Sequence, residues 1–386
     1  MLTVNTADLL SALTVTSYVA DGRMPDERLA YLLAHGDTLT VHAGAEQGNA
    51  ITVDIDAKVG DAATATVPHH VLSDIVAHSK SLKGADVTLD LTNADGVVLT
   101  IASFTASIKR VDAPTPPLVE IDDAPMLTTD LDRFRSLLGP EYAVDRNAWN
   151  SVLNGVYLDD EEGRLRCVGT DGVRLAYIEH DSGDEPTAVG ALTGRSIPRA
   201  ASTILRRALN AAGGDRVRLA ITANRAHLVV ATDGDAPRVR ARVALLDTPT
   251  YPAYRRILPT VTPEGTIVVK REALLDAARR VKALPRGDLR VTATVDVSDP
   301  NTLRLDASDD HIVSVERVPL ERPAEAPLMA HVNSKYLIDA LANLHSEVVE
   351  WYVGGRVTNL VGVGEDANRR AVIAQTKPPE AATVNG

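Results

Sequence analysis

This 386-residue sequence contains a single cysteine, Cys167, which excludes a disulfide framework and a thiolate metal site. Aromatic residues make up only 3% of it, so its cores must be built from Val, Leu, Ile and Ala. No apolar run approaches the roughly 20 residues that span a bilayer. The N-terminus lacks a signal peptide's pattern, because Asp8 interrupts it and no basic region precedes it. There is no phosphate-cradling glycine loop, no HExxH, no CxxC and no GxSxG. These absences lead us to expect a cytoplasmic protein with no membrane association, no cofactor, no bound metal and no catalytic activity.

What is present is repetition. Three times an amphipathic helix runs into a short-turn hairpin. The first copy has a helix near Val71 to Lys83, then Val87, Leu89 and Leu91, a turn at 93–96, and Val97, Leu99 and Ile101. The second has a helix near Arg199 to Ala212, then Val217, Leu219 and Ile221, a turn near Asn224, and Leu228 and Val230. The third has a helix near Lys270 to Leu284, then Leu289, Val291, Ala293 and Val295, a turn at Pro300-Asn301, and Leu303 and Leu305. Period-2 spacing on each arm predicts half-buried antiparallel strands. Repeats longer than a hundred residues are duplicated domains, too long for solenoid units. Proline-rich stretches at 112–126 and 247–259 read as extended connectors, because proline lacks a backbone donor and restricts its predecessor. Each third also opens on an amphipathic helix, near Ala7, near Thr129 and near Arg271, the last being the repeat's own helix. Two helices over antiparallel strands give an α+β layering in each third, with edge strands available for another domain or subunit to extend.

Formal net charge is −12, which by itself argues against nucleic acid. Its distribution argues otherwise. Acidic residues gather in turns and linkers such as 159–162 and 309–310, whereas cations recur on the predicted helices. Lys80 and Lys83, Arg133 and Arg135, Arg199, Arg206 and Arg207, and Arg279, Arg280 and Lys282 could form one cationic surface. A Debye length of about 8 Å would screen it from a distant acidic rim.

Candidate chemical residues are few. His69-His70 reads as adjacent strand or turn residues pointing apart, Cys167 as a small core residue, and 159–163 as a solvated hairpin tip. Thr170-Asp171-Gly172 falls between strands at Arg164–Val168 and Arg174–Ile178, where Asp-Gly suits a structural turn.

The segment from Leu153 through Leu-Asn-Gly to Thr170-Asp171-Gly172-Val173-Arg174-Leu175 resembles the middle domain of the bacterial DNA sliding clamp, the β subunit of the replicative polymerase. Three more signatures follow in order: Ser196 to Arg199, Tyr251 to Pro259, and Val332 to Leu341. Thr66-Val67-Pro68 before a helix matches the family's layout in the first third. The resemblance implies three tandem clamp-type domains, at 1–126, 127–251 and 252–378, with 379–386 as a disordered tail. Two such subunits would join head to tail into a ring around duplex DNA. DNA polymerase and the clamp loader would dock through linear peptide motifs. By position, the docking groove would use Leu153, Thr170, Gly172, Arg174, Leu175, Pro252, Ile257, Asn333 and Tyr336, walled by Val372, Ala374 and Thr376. DNA would face Arg23, Lys80, Lys83, Arg133, Arg199, Arg206, Arg207, Arg279, Arg280 and Lys282. The dimer interface would lie near Ile108 and Leu284.

The chain departs from the family's pattern at the groove wall, where two methionines are replaced by Ala374 and Thr376, and in its first third. Such drift fits a phage-encoded clamp or a second copy. A specialised paralogue, serving one polymerase or giving inhibitor resistance, is the alternative within the family. A duplicated α+β enzyme with Asp171 as acid/base is the alternative outside it.

Overall fold

The computed structural model describes residues 1–20, 28–46, 48–79, 85–121, 126–147, 152–181, 190, 192–210, 215–222, 226–233, 238–248, 250–258, 264–283, 290–308 and 313–376. Among the described residues its main helices come two to each third of the chain. They are α1 (Thr6–Thr16), α2 (His69–His78), α3 (Leu131–Leu137), α4 (Arg199–Asn210), α5 (Arg271–Lys282) and α6 (Ser334–Ala342). Two are capped by asparagine: Asn5 Oδ1 accepts from the Ala7 N–H at 2.8 Å, and Asn333 Oδ1 accepts from the Lys335 N–H at 2.9 Å. In α5 Leu274, Ala277, Ala278 and Val281 form a buried stripe at helical spacing, while Arg279, Arg280 and Lys282 are exposed. The third helix starts at Leu131, because Thr129 and Asp130 complete the strand Met126–Asp130.

The chain packs as two compact units, Met1–Ser136 with Ser182–Asp247, and Leu137–Asp181 with Thr248–Gly386. In the first unit one sheet runs in the order Phe104–Ile108, Val97–Ile101, Asp86–Asp90, Leu2–Asn5, Ala50–Val59, Arg238–Ala244, His227–Asp233, Arg216–Ile221, Met126–Asp130. Strands Leu29–His35, Thr38–Gly44 and Ala63–Pro68 branch from it. The expectation that one repeat's edge strand extends another's sheet is met here: Val239 pairs with Val53 across the junction between the first and middle thirds. The connector from 112 to 121 has no regular secondary structure, as proline dictates. Its Val119 is buried against Ala50 and Val229 and donates its N–H to Thr52 Oγ1 at 3.1 Å.

In the second unit a sheet runs in the order Gly155–Glu161, Arg164–Thr170, Arg174–Asp181, Arg369–Ala374, Val357–Gly362, Val348–Val353, Gly265–Lys270. A four-stranded sheet, Val313–Pro319, Asp299–Ser308, Arg290–Asp296 and Leu328–Asn333, completes it. Trp351, fully buried, joins Val281, Leu337 and Leu341 in one apolar core.

The third hairpin turns at Val297-Ser298, so the turn expected at Pro300-Asn301 is displaced. Proline cannot complete a ladder, and here it falls in an irregular stretch of the strand, where the pairing register shifts between Thr294 and Asp296. The turn near Asn224 lies outside the described residues. The second connector is not extended throughout: Tyr254–Arg256 closes a short 3₁₀ turn, with Tyr254 buried.

Candidate functional site

The turn between Arg164–Thr170 and Arg174–Asp181 is built by its own side chains. Asp171 Oδ1 accepts from the Val173 N–H at 3.0 Å and the Arg174 N–H at 2.9 Å. Thr170 Oγ1 donates to the Arg174 carbonyl at 2.6 Å and accepts from the Gly172 N–H at 3.1 Å. Gly172 has φ +87, a left-handed conformation that glycine adopts without strain. This local bonding explains why Thr-Asp-Gly is needed here, and it occupies the Asp171 carboxylate in the fold.

The turn delivers Arg174 into a buried position, 6% exposed. Its Nε donates to Asp171 Oδ2 at 3.1 Å and its Nη1 to Asp339 Oδ2 at 2.6 Å. The guanidinium lies over the Tyr336 ring, 4.5 Å from its centroid, and 5.8 Å from that of Tyr142. Burial raises the Tyr142 phenol well above its ordinary range. Gly169 permits this approach, because a Cβ there would meet the Pro140 carbonyl oxygen at 2.2 Å. Charge-assisted bonds in a partly desolvated setting fix Arg174 more firmly than an exposed ion pair would.

Leu175 is held by register. It pairs with Val372, and both are buried with Val168, Tyr177 and Tyr254. Tyr157 and Tyr251 stack beside them, with centroids 4.1 Å apart and planes 6° from parallel. Beyond Val372 the chain runs along the turn and then the neighbouring sheet: the Ala374 N–H donates to the Val173 carbonyl at 2.9 Å and the Thr376 N–H to the His331 carbonyl at 2.8 Å. The same unit exposes the apolar side chains of Val173 (47%), Ile257 (48%) and Met329 (56%). Leu153, Ala374 and Thr376 are half-buried and Pro252 is exposed.

The second unit thus gathers the residues from Leu153 through Thr376 that the resemblance assigned to the groove. Two of them also serve the fold itself. Asn333 Oδ1 caps α6, and the Arg174 donors are engaged by two carboxylates. Sequence reading missed Asp339, although it follows Tyr336 by one helical turn, a spacing that puts both on one face. It also missed Tyr142, which lies in a 3₁₀ turn and carries no local signal.

Elsewhere the expectations divide. Arg133, Arg207, Arg279 and Lys282 are exposed on their helices; Arg199 and Arg206 are half-buried. Arg207 lies over the Tyr18 ring at 5.3 Å, and Arg280 is paired with Glu316 at 2.7 Å, which neutralises part of the expected charge. Arg23, Lys80, Lys83 and Leu284 lie outside the described residues. Ile108 is buried, at 4% exposure, so the apolar side chain presented by its strand is Phe104, 50% exposed. Among the described residues Phe104–Ile108 and Val313–Pro319 each end a sheet, and Val313 is 76% exposed.

His69 and His70 open α2, correcting the strand or turn reading. His69 is buried, with Nε2 2.9 Å from Thr16 Oγ1, and desolvation lowers its pKa to about 4. Asp159 is not at a solvated tip; it accepts from the Tyr254 hydroxyl at 2.6 Å and the Arg255 guanidinium at 2.9 Å. Cys167 is fully buried, which raises its thiol pKa and suits a core residue. Among the described residues no cluster of three metal-ligating side chains occurs, and no helix is long and apolar enough to cross a membrane.

No protein-family model matches the chain. It is 27% identical over 369 residues to the β sliding clamp of Synechocystis sp., an alignment covering 89% of this chain and 90% of that one. The chain is thus similar over most of its length to a β sliding clamp. A second relative, the β sliding clamp of Treponema pallidum, is 31% identical over 143 residues, covering 37% of this chain and 35% of that clamp. Solved clamps share the fold at low identity. The DNA polymerase III β subunit of Pseudomonas aeruginosa superposes with a TM-score of 0.82 at 19% identity, covering 98% of this chain and all of that one. The sliding clamp of Bartonella birtlesii bound to griselimycin gives 0.83 at 19%, with 98% and 99% covered.

Proposed function

We propose that this protein is a DNA sliding clamp, a processivity factor that encircles duplex DNA and tethers the replicative polymerase through a peptide-binding site. The observation that carries the tethering role is the pairing of Leu175 with Val372, which lays the Thr170–Leu175 turn along the C-terminal strand beside exposed Val173, Ile257 and Met329. Apolar side chains then supply contact area, and backbone polar groups supply orientation. A neighbour of the same fold binds griselimycin, which supports a ligand-accepting surface in clamps of this architecture.

The three-domain division at 1–126, 127–251 and 252–378 belongs to this reading, as does a cytoplasmic, non-enzymatic role. Head-to-tail dimerisation would join the edge strand Phe104–Ile108 of one subunit to Val313–Pro319 of the next, covering Phe104, Val313 and Val315. The closed ring would present Arg133, Arg207, Arg279 and Lys282 to the phosphates without reading sequence. A separate loader would open it.

Ala374 and Thr376 at the wall favour a second reading in which the clamp serves a restricted set of partners. Both readings are tested by calorimetric titration with a family-type clamp-binding peptide, using Val173→Asp and Ile257→Asp. These exposed positions should tolerate substitution, and micromolar binding should be lost in both. Binding that survives both changes would refute the site. No binding by the parent chain, with the dimer intact by light scattering, would favour the restricted-partner reading.

A further inference from the structure

A buried arginine ties the second connector to the sheet of the second unit. Arg166, 6% exposed, lies on the strand Arg164–Thr170, in register with Asp159 on one side and Glu179 on the other. Two positions along, the same three strands align Tyr157, Val168 and Tyr177, so both rows share one face. Arg166 Nε donates to Glu179 Oε1 at 2.8 Å, and Nη2 donates to the same oxygen. Arg164 is the second cation near Glu179, at 3.7 Å. The remaining arm leaves the sheet: Arg166 Nη1 donates to the Tyr254 hydroxyl at 3.4 Å. The guanidinium lies 5.0 Å from the centroid of the Tyr177 ring and 6.0 Å from that of Tyr254.

The Tyr254 hydroxyl passes the link on, donating to Asp159 Oδ2 at 2.6 Å. Exposed Arg255 also reaches that oxygen, at 2.9 Å, but from a position where solvent screens the pair. Burial first, then the bond to Asp159, raises the Tyr254 phenol above its ordinary range, so it keeps the proton it donates. Tyr254 opens the 3₁₀ turn Tyr254–Arg256, and its carbonyl accepts from the Ile257 N–H at 3.0 Å. Its ring belongs to the apolar cluster of Leu175 and Val372, and Leu258 packs on the same cluster. Exposed Ile257 thus stands on a turn held from both sides.

Stability alone is a poor reason for a charge at this depth. Taking a guanidinium out of water is costly, and well-packed apolar residues often serve stability as well or better. What arginine adds is geometry, a planar fork that Glu179 fixes on the sheet while its other arm meets one hydroxyl of the connector. On the peptide-docking reading, on which this rests, we propose that Arg166 is a positioning residue of the peptide site. It fixes the connector's turn on the sheet and so presets Ile257 for a docking peptide. Being buried, Arg166 acts through Tyr254 and not on the peptide itself. A preset turn spares the peptide the entropy of ordering it.

The test pairs calorimetric titration of the whole chain with a family-type clamp-binding peptide and hydrogen exchange of the peptide-free protein. Arg166→Lys keeps a charge beside Glu179 but has no fork to reach Tyr254, and Tyr254→Phe removes the hydroxyl while keeping the ring. Peptide binding should weaken about tenfold in Arg166→Lys and about fivefold in Tyr254→Phe. In both, the Arg256 and Ile257 amides should exchange about tenfold faster, with the strand Gly265–Lys270 unchanged. Added to Ile257→Ala, either change should weaken binding less than about twofold further, because the side chain it positions is gone. Should Arg166→Lys melt early, Tyr254→Phe carries the same test with its buried ring intact. Unchanged exchange of the turn in the variants would overturn the proposal, whether or not a peptide binds. So would full additivity with Ile257→Ala, which marks a residue that only stabilises. A parent chain that binds no peptide, with its turn still loosened by both changes, would instead overturn the peptide-docking reading and keep Arg166 only as the turn's anchor.

Discussion

Arg174 and Arg238 carry the same side chain into opposite situations. The first is locked between two carboxylates and above a tyrosine ring, so its charge serves the architecture of the peptide site. The second is half-buried on the strand Arg238–Ala244, in register with Asp54, with its buried Nε lacking a hydrogen-bond partner among the described residues. A guanidinium whose donors are satisfied inside the fold shapes a site; one on a half-buried strand face contributes less to it. Substitution of Arg174 should therefore cost far more stability than substitution of Arg238.

The largest separation is expected from alanine. Arg174→Ala strands Asp171 and Asp339 and should cost about 3–5 kcal/mol in denaturant unfolding, whereas Arg238→Ala should cost less than about 1 kcal/mol. Equal costs would erase the distinction. Leu175→Ala follows, at about 2–4 kcal/mol, because a buried side chain packed on Val372 leaves a cavity.

Acid then sharpens the comparison between the two units. His42 and His69, both in the first unit, are neutral when folded with pKa values lowered to about 4, against 6.5 in the ordinary state. The unfolded chain thus binds the extra protons. Stability is complete above pH 6.5 and declines as pH falls toward 4, by about 1.4 kcal/mol per unit for each histidine. Hydrogen exchange at pH 5 should show the first unit opening before the second, and His69→Gln should reduce that difference. Asp171→Asn keeps the oxygen that accepts from Val173 and Arg174 but loses the charge facing the guanidinium. It should cost about 1–2 kcal/mol in the same assay. Smallest of all, Arg280→Gln should change stability by less than about 1 kcal/mol, since its pair with Glu316 is exposed.

Legibility in the sequence follows the range of the interaction. The Thr170–Leu175 turn is bonded within six residues, and the helix stripes repeat every turn, so both could be read directly. The hairpin in the last third was misplaced because Pro300-Asn301 carries turn chemistry but sits at a register shift. Asp339 was one helical turn from a residue already chosen. Tyr142, by contrast, reaches Arg174 only through a 3₁₀ turn and the absence of a Cβ at Gly169. Least legible was the sharing of one sheet face by Arg218 and Arg240, which exists only once three strands are set in register.

The most direct test of the sliding-clamp account is retention on DNA of defined topology. The protein would be loaded by a matching clamp loader and ATP onto a nicked circular plasmid, then passed through a sizing column before and after the circle is cut. The account predicts co-elution with the intact circle and release once it is linear. Equal retention on both forms, or none on the circle, would contradict it.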